Sequence, residues 1–552
     1  MTLLPKHVNK ATDTFIVPKN ITRLENECFK DCINLTSITL HNKITYIGGS
    51  CFQYCKKLKE IIIPKFVSYI NNYAFSWCFN LSSITIPNSV KYIGTNAFRD
   101  CHNLSSITIP NSVKYIGDGA FSGCSNLSSI IIPTLVSKIN GGVFYDCSKL
   151  SSIIIPNSVI KIDEDAFNCC VNLSSIVIPN SIREIGKFAF YTCSNLTSIS
   201  ISISVSKIGK YAFCQCFNLS SIIIPNSINT ISESAFKNCH NLTSITIPNS
   251  ISVINESVFN DCKKLSSITI PTSITKINKD AFNCCVNLTS IIIPNSVSEI
   301  GDGAFSGCYN LSSIIIPTSI SEISPFAFKS CHNLSSIIIP NSVSKIGAEA
   351  FCCCYNPTSI IIPNSVTYIS EGVFCNCHNL TSITIPSSIS EIDKYVFENC
   401  CSLSSITIPT SVTKISEEAF SGYENLSSIT IPITVVEIGN HAFHWCGNLS
   451  SITIPNSVSE IGDSAFCDCS NLRSITIPTS VSEINKDTFR NCYKLKSINI
   501  PTSVTKINKN AFRNCYKLSS VTMSNSVKYD NTVFYNCPDL TSITIPSSVD
   551  EK

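Results

Sequence analysis

LSSITIPNSVKYIGTNAFRDCHN, residues 81 to 103, decides the architecture, because the chain repeats it from one end to the other. Shifted by 23 residues, the sequence overlays itself. Leu81 recurs as Leu104, Leu127, Leu150 and Leu173 and at the same step to Leu518, broken once by Pro357. Phe98 recurs from Phe29 to Phe512 without a slip and again at Phe534, and Cys101 recurs in every repeat but one, where Tyr423 stands. Twenty-three repeats occupy residues 12 to 539, after a lead-in of residues 1 to 11 and before a truncated last repeat, residues 540 to 552. A period of this length marks a solenoid in which each repeat is one coil of chain.

With Leu81 as position 1, each part of the coil has a physical reading. Ile84 and Ile86 alternate with Ser83 and Thr85, the period-two pattern of a strand with one buried face. Pro87 cannot donate to a ladder, so the strand ends there. After a turn at Asn88 and Ser89, Val90 and Ile93 point inward from a second short extended piece, with Lys91 and Tyr92 outside. Ala97, Phe98 and Cys101 have the spacing of one helical turn. Eight inward residues cannot close a core within one coil, so the coils must stack, and stability becomes a sum over neighbouring interfaces. About twenty-four strands at about 4.8 Å each would give a sheet roughly 110 Å long.

The pattern L-x-x-I-x-I-P-x-x-[VI]-x-x-I-G-x-x-A-F-x-x-C resembles the BspA-like class of leucine-rich repeats over residues 12 to about 549. The resemblance implies a repeat solenoid, a right-handed leucine-rich-repeat superhelix with a long parallel β-sheet on one face and short extended and helical-turn segments on the other. It also implies kinship with surface antigens and adhesion proteins of mucosal bacteria and anaerobic protists.

The composition narrows the partners. Lys and Arg total 40 against 37 Asp and Glu, a net charge of +3, so there is no basic excess of the kind a phosphate backbone requires and no nucleic-acid partner is expected. No apolar run is long enough to span a membrane. Residues 1 to 11 have no apolar stretch of signal-peptide length, which points to the cytoplasm, whereas the family resemblance points to the cell surface. At the other end, Leu540, Ile543 and Ile545 form a strand with nothing stacked beyond it, the mark of a truncated product or of an end that meets another chain in end-to-end self-association.

Chemistry is hard to find. Of 32 cysteines, twenty-two hold the ladder position and read as small buried hydrophobes. The other ten include Cys352 and Cys353, beside the ladder Cys354, and Cys375, beside the ladder Cys377 one coil on; such a cluster could form a cross-coil disulfide or take up a metal, but no spacing matches a zinc pattern and no metal site is assigned. His102, His240, His332 and His378 each follow a ladder cysteine and read as surface turn residues. Asn precedes the position-1 Leu in many repeats, a turn residue tolerant of left-handed backbone rather than an array of glycosylated sites. Position 12 carries a mixed charge row on the back of the coil, Lys161, Glu184 and Lys207 among its members. There is no phosphate loop, no H-E-x-x-H and no G-x-S-x-G, so neither catalytic residues nor a cofactor are expected.

What remains is recognition. The expected function is a non-catalytic interaction or adhesion module that binds a protein or glycan along the exposed sheet; the alternatives are an intracellular scaffold and, more remotely, an ice-binding solenoid. Position 5 faces outward and is usually Thr, as at Thr85 and Thr108, but four consecutive coils carry Ile292, Ile315, Ile338 and Ile361. Stacked in register they would form an apolar stripe about 14 Å long, and they are the candidate ligand-binding residues.

Overall fold

A computed structural model describes residues 1–545. The chain forms two compact bodies, Met1–Ile274 with Cys284–Val286, and Thr275–Asn283 with the residues from Asn287 on. Each is a stack of coils of one design.

The eight inward positions behave alike. In the reference coil Leu81, Ile84, Ile86, Val90, Ile93, Ala97, Phe98 and Cys101 are all buried. The first strand is three residues long, as in Ser83–Thr85, and the second two, as in Tyr92–Ile93. Both pair with their counterparts 23 residues away, in parallel and without slip. Ser129, Ile130 and Ile131 lie opposite Ser152, Ile153 and Ile154, and Lys138 and Ile139 opposite Lys161 and Ile162. In the first body, five consecutive strands from Ser175–Val177 to Ser267–Thr269 form one ladder. In the second, Ser428–Thr430, Ser451–Thr453 and Ser474–Thr476 do the same. A one-residue slip would turn every buried Ile outward, which is why the register holds.

The third side of the coil differs from the expected helical turn. The one helical element among the described residues is the 3-10 turn Pro5–His7. Between Gly94 and Cys101 the backbone makes linked β-turns, with Asn96 and Asp100 at φ 53° and 58°. Amides at alternate residues bond in different directions. Ala97 and Arg99 donate locally, to Gly94 and Asn96, while Asn96, Phe98 and Asp100 donate to Asp118, Ala120 and Ser122 of the next coil. A helix would send every amide back along its own chain and leave coils joined by side chains alone. Here the turn side carries its own inter-coil ladder.

The Phe rings stack along that ladder. In the first body they run from Phe29 to Phe259 with centroids 5.2 to 5.9 Å apart, and in the second from Phe282 to Phe534 at 5.3 to 5.9 Å. The ladder cysteines have a reason to be Cys rather than Ala. From Cys55 onward the thiols donate to the carbonyl of the Phe one coil back, as Cys101 Sγ does to Phe75 O at 3.2 Å. Burial pushes Cys101 and Cys147, like most of these thiols, upward in pKa, so they stay protonated donors, whereas Cys537 in the last repeat is lowered by the Cys515 thiol beside it.

At the N-terminus, Thr2–Leu3 pairs in parallel with Arg23–Leu24, and Leu3 and Val8 are buried. The lead-in therefore supplies part of a coil beneath the first repeat.

Candidate functional site

On the open face of the strands, positions 3 and 5 point to solvent and position 4 inward, so strands such as Ser83–Thr85, Ser244–Thr246 and Ser428–Thr430 read exposed, buried, exposed along Ser-Ile-Thr. The face is almost uncharged and bears hydroxyls with interspersed aliphatics. Positions 2, 3 and 5 carry no aromatic ring in any repeat.

Ile292, Ile315, Ile338 and Ile361 all stand on this face, 71 to 78% exposed. The structure brings them together pairwise. Ile292 lies opposite Ile315, and Ile338 opposite Ile361, which continues to Thr384. The strand of the third coil is shortened to Ile337–Ile338.

A second apolar row went unread in the sequence. Ile131, Ile154 and Val177 occupy position 5 in three consecutive coils of the first body, 70 to 76% exposed, and Ile131 pairs with Ile154. Beside them lies a shallow groove of about 630 Å³, bounded by Ile154, Val177, Ser200, Asn157, Asn180 and Ile203. Its origin is local. Position 7 is Ser202 instead of Pro, and its hydroxyl donates to Asn180 Oδ1 at 2.8 Å while receiving the Ser204 amide at 3.1 Å. Tabulating residues by repeat position would have exposed this row.

The other faces are built from ladders. Position-23 asparagines hydrogen-bond one another across coils, Asn103 Nδ2 to Asn80 Oδ1 at 3.2 Å and Asn241 to Asn218 at 3.0 Å. None of these four has a positive φ, so the residue is chosen for the cross-coil amide ladder and not, as its sequence suggested, for left-handed backbone. On the back, Glu184 sits 3.7 Å from Lys161 and 3.6 Å from Lys207, and Lys276 pairs with Glu299 at 2.8 Å. Such exposed pairs contribute about 0 to 1 kcal/mol each.

The position-22 histidines face away from the ladder thiols. His102 Nδ1 bonds the Gly123 carbonyl at 2.9 Å, and His240 Nε2 bonds Asp261 at 2.9 Å. His332 is sandwiched between Tyr309 and Tyr355, centroids 4.5 and 4.4 Å away, and burial there lowers its pKa. Cys352, Cys353 and Cys375 form no disulfide, and the sulfurs of Cys352 and Cys353 lie 3.5 Å apart. Burial pushes Cys214 up to about 11. Among the described residues, two groups of three donor atoms have metal-binding proximity, His444 with Cys467 and Asp468, and Glu417 with Glu418 and His441. The sequence reading assigned neither.

No described helix is long and apolar enough to cross a membrane. At the far end Ser542–Thr544 pairs with Ser520–Thr522, leaving Ile543 and Ile545 37 and 53% exposed.

Stacked parallel strands at a 23-residue step, a repeated inward Leu and Ile set and an open strand face define a leucine-rich-repeat solenoid. Residues 8–128, 114–243, 229–358, 344–449 and 436–551 match the BspA type leucine rich repeat region. The chain belongs to that family, whose members are generally non-enzymatic. Among solved structures it is similar to a leucine-rich repeat protein from Bacteroides ovatus, with 30% identity over 70% of this chain and 88% of that one and a TM-score of 0.46. It is also similar to a leucine rich cell surface protein from Faecalibacterium prausnitzii, at 25% identity over 76% and 88% with a TM-score of 0.24. The leucine rich repeat protein of T. pallidum shares 29% identity over 33% of this chain and 78% of its own, with a TM-score of 0.25. No curated protein matches the chain.

Proposed function

We propose that the chain is a non-catalytic recognition module that engages a protein partner along the open strand face, in an adhesion role of the kind its family suggests. The observation that carries this reading is the exposed aliphatic side chains at position 5 of consecutive coils, Ile292 to Ile361 in one body and Ile131 to Val177 in the other, on a face otherwise lined mainly by Ser and Thr. Contiguous exposed apolar surface on a repeat solenoid tends to mark an interface. A protein fits this face better than a glycan, because sugar rings are commonly held against aromatic faces and these strand positions offer none.

Replacing Ile292, Ile315, Ile338 and Ile361 together with Thr is the direct test. Thr already fills position 5 in many coils, so folding should be unchanged, while partner capture or self-association should weaken. Unchanged capture and unchanged sedimentation would refute the assignment of these four residues. End-to-end association through Ile543 and Ile545 is a separate proposal, and Ile543→Lys should abolish any dimer formed that way without touching the strand face.

A further inference from the structure

On the turn side of the second body, position 19 of successive coils carries Ser421, His444, Cys467 and Arg490, and Asp468 follows Cys467 at position 20. Stacking brings the middle residues to one point. His444 Nε2 lies 3.3 Å from Asp468 Oδ2, Cys467 Sγ lies 3.2 Å from the same oxygen, and all three donor atoms are within 4.8 Å of one another. Zinc bonds of about 2.0 Å to nitrogen and oxygen and about 2.3 Å to sulfur, at tetrahedral angles, place donors about 3.3 to 3.5 Å apart. The Asp468 oxygen already has close to that separation from both the His444 nitrogen and the Cys467 sulfur.

The surroundings fix the donors. Asp468 Oδ1 accepts from Asn491 Nδ2 at 2.7 Å, and Asn491 Oδ1 accepts from Asn514 Nδ2 at 2.7 Å, so the carboxylate is anchored by one oxygen and presents the other. Outer partners of this kind orient metal ligands. The His444 ring packs against His441 at 5.3 Å and Trp445 at 5.5 Å. Cys467 is only 5% exposed, and its thiol points at the carboxylate rather than at the imidazole, the wrong order for a Cys-His nucleophile pair. Without a metal, burial and the adjoining Asp468 carboxylate keep the proton on the Cys467 thiol, and the Arg490 charge on the next coil offsets them only in part, so it is the ion itself that must displace this proton.

We propose that His444, Cys467 and Asp468 bind one divalent transition-metal ion of the zinc type, with water completing a four-coordinate site. One nitrogen, one sulfur and one oxygen favour zinc or cobalt over magnesium or calcium, which take oxygen ligands. Binding replaces the thiol proton, which leaves to solvent, and forms three metal-ligand bonds with no change of oxidation state. The ion ties the coil of residues 426 to 448 to the coil of residues 449 to 471.

The test is a cobalt titration of the full chain after treatment with chelator and reductant. Tetrahedral cobalt on a thiolate gives a sulfur-to-metal charge-transfer band and intense visible absorption. The expected result is one equivalent bound with that signature, bleached by zinc, absent in Cys467→Ser and His444→Ser, and weakened about 10- to 100-fold in Asn491→Ala, the usual effect of removing an outer partner. Ser occupies position 19 at Ser122, Ser306 and Ser421, so both variants keep a residue the coil accepts; unchanged melting without metal confirms that they fold. Cys352→Ser should leave the band intact. No charge-transfer band in the wild-type chain overturns the proposal, as does a band that survives both Cys467→Ser and His444→Ser. Cobalt bound without the band and lost in His441→Ala also overturns it, by moving the ion to Glu417, Glu418 and His441.

Discussion

Phe98→Ala probes the principle that holds the stack together. The ring is fully buried and lies between Phe75 and Phe121, with centroids 5.5 and 5.4 Å away and planes within 4°. Emptying a buried aromatic site costs about 3 to 5 kcal/mol, and each lost ring contact adds about 0.5 to 1.5 kcal/mol beyond burial. Two such contacts are lost, so the upper part of that range, about 4 to 5 kcal/mol, is expected. The damage should stay local. The Phe98 amide bonds Ala120, its carbonyl receives the Cys124 thiol, and the preceding coil is joined through Phe75 to Ala97. All these partners lie in adjacent coils, and coupling in a solenoid is between neighbours. Hydrogen exchange read by mass spectrometry should show protection lost in residues 75 to 124 and retained beyond about residue 196. Exchange that rises uniformly along the chain would refute nearest-neighbour coupling, and no change at all would refute the load assigned to the ring.

Three other outcomes follow from particular residues. Tyr423 fills a cysteine position with its hydroxyl buried and with no nitrogen or oxygen partner, only the weakly bonding Cys400 thiol beside it, so Tyr423→Phe should raise stability by about 1 kcal/mol in chemical denaturation. His332 has its pKa lowered by burial between two tyrosines, so the folded chain binds fewer protons than the unfolded one below the unfolded value of about 6.5. Its contribution is present above that pH and lost as pH falls below it, and His332→Phe should flatten the pH dependence of unfolding of that segment. Alkylation of the native chain at neutral pH should reach at most the five half-buried thiols, Cys169, Cys284, Cys353, Cys401 and Cys537, and leave the other 27 of 32 unmodified. Cys537 should react first, because a hydrogen bond from the Cys515 thiol lowers its pKa; peptide mapping gives the order.

The strand side of the coil was legible because period-two alternation followed by Pro87 admits one reading, and the structure places Ile84, Ile86, Val90 and Ile93 inward as expected. The turn side was not. Ala97, Phe98 and Cys101 have a spacing that fits a helical turn and linked β-turns equally. The left-handed positions that distinguish the two hold Asn96 and Asp100 in one coil, Tyr73 and Trp77 in the coil before and Gly119 and Gly123 in the coil after, so no single residue type marks them. The asparagine ladder and the apolar row at Ile131, Ile154 and Val177 depend on residues 23 apart, visible only when the sequence is tabulated by repeat position. His444 and Cys467 are likewise 23 apart, outside every local metal motif, and become neighbours only because the coils stack.

Site-specific photo-crosslinking asks most directly whether the strand face is the recognition surface. A photoreactive residue at position 315, on the open face, is compared with one at position 345, on the back, both exposed in the folded chain. The account predicts adducts to a protein partner from position 315, reduced when Ile292, Ile338 and Ile361 are changed to Thr, and none from position 345. Equal or stronger crosslinking from position 345 would contradict it.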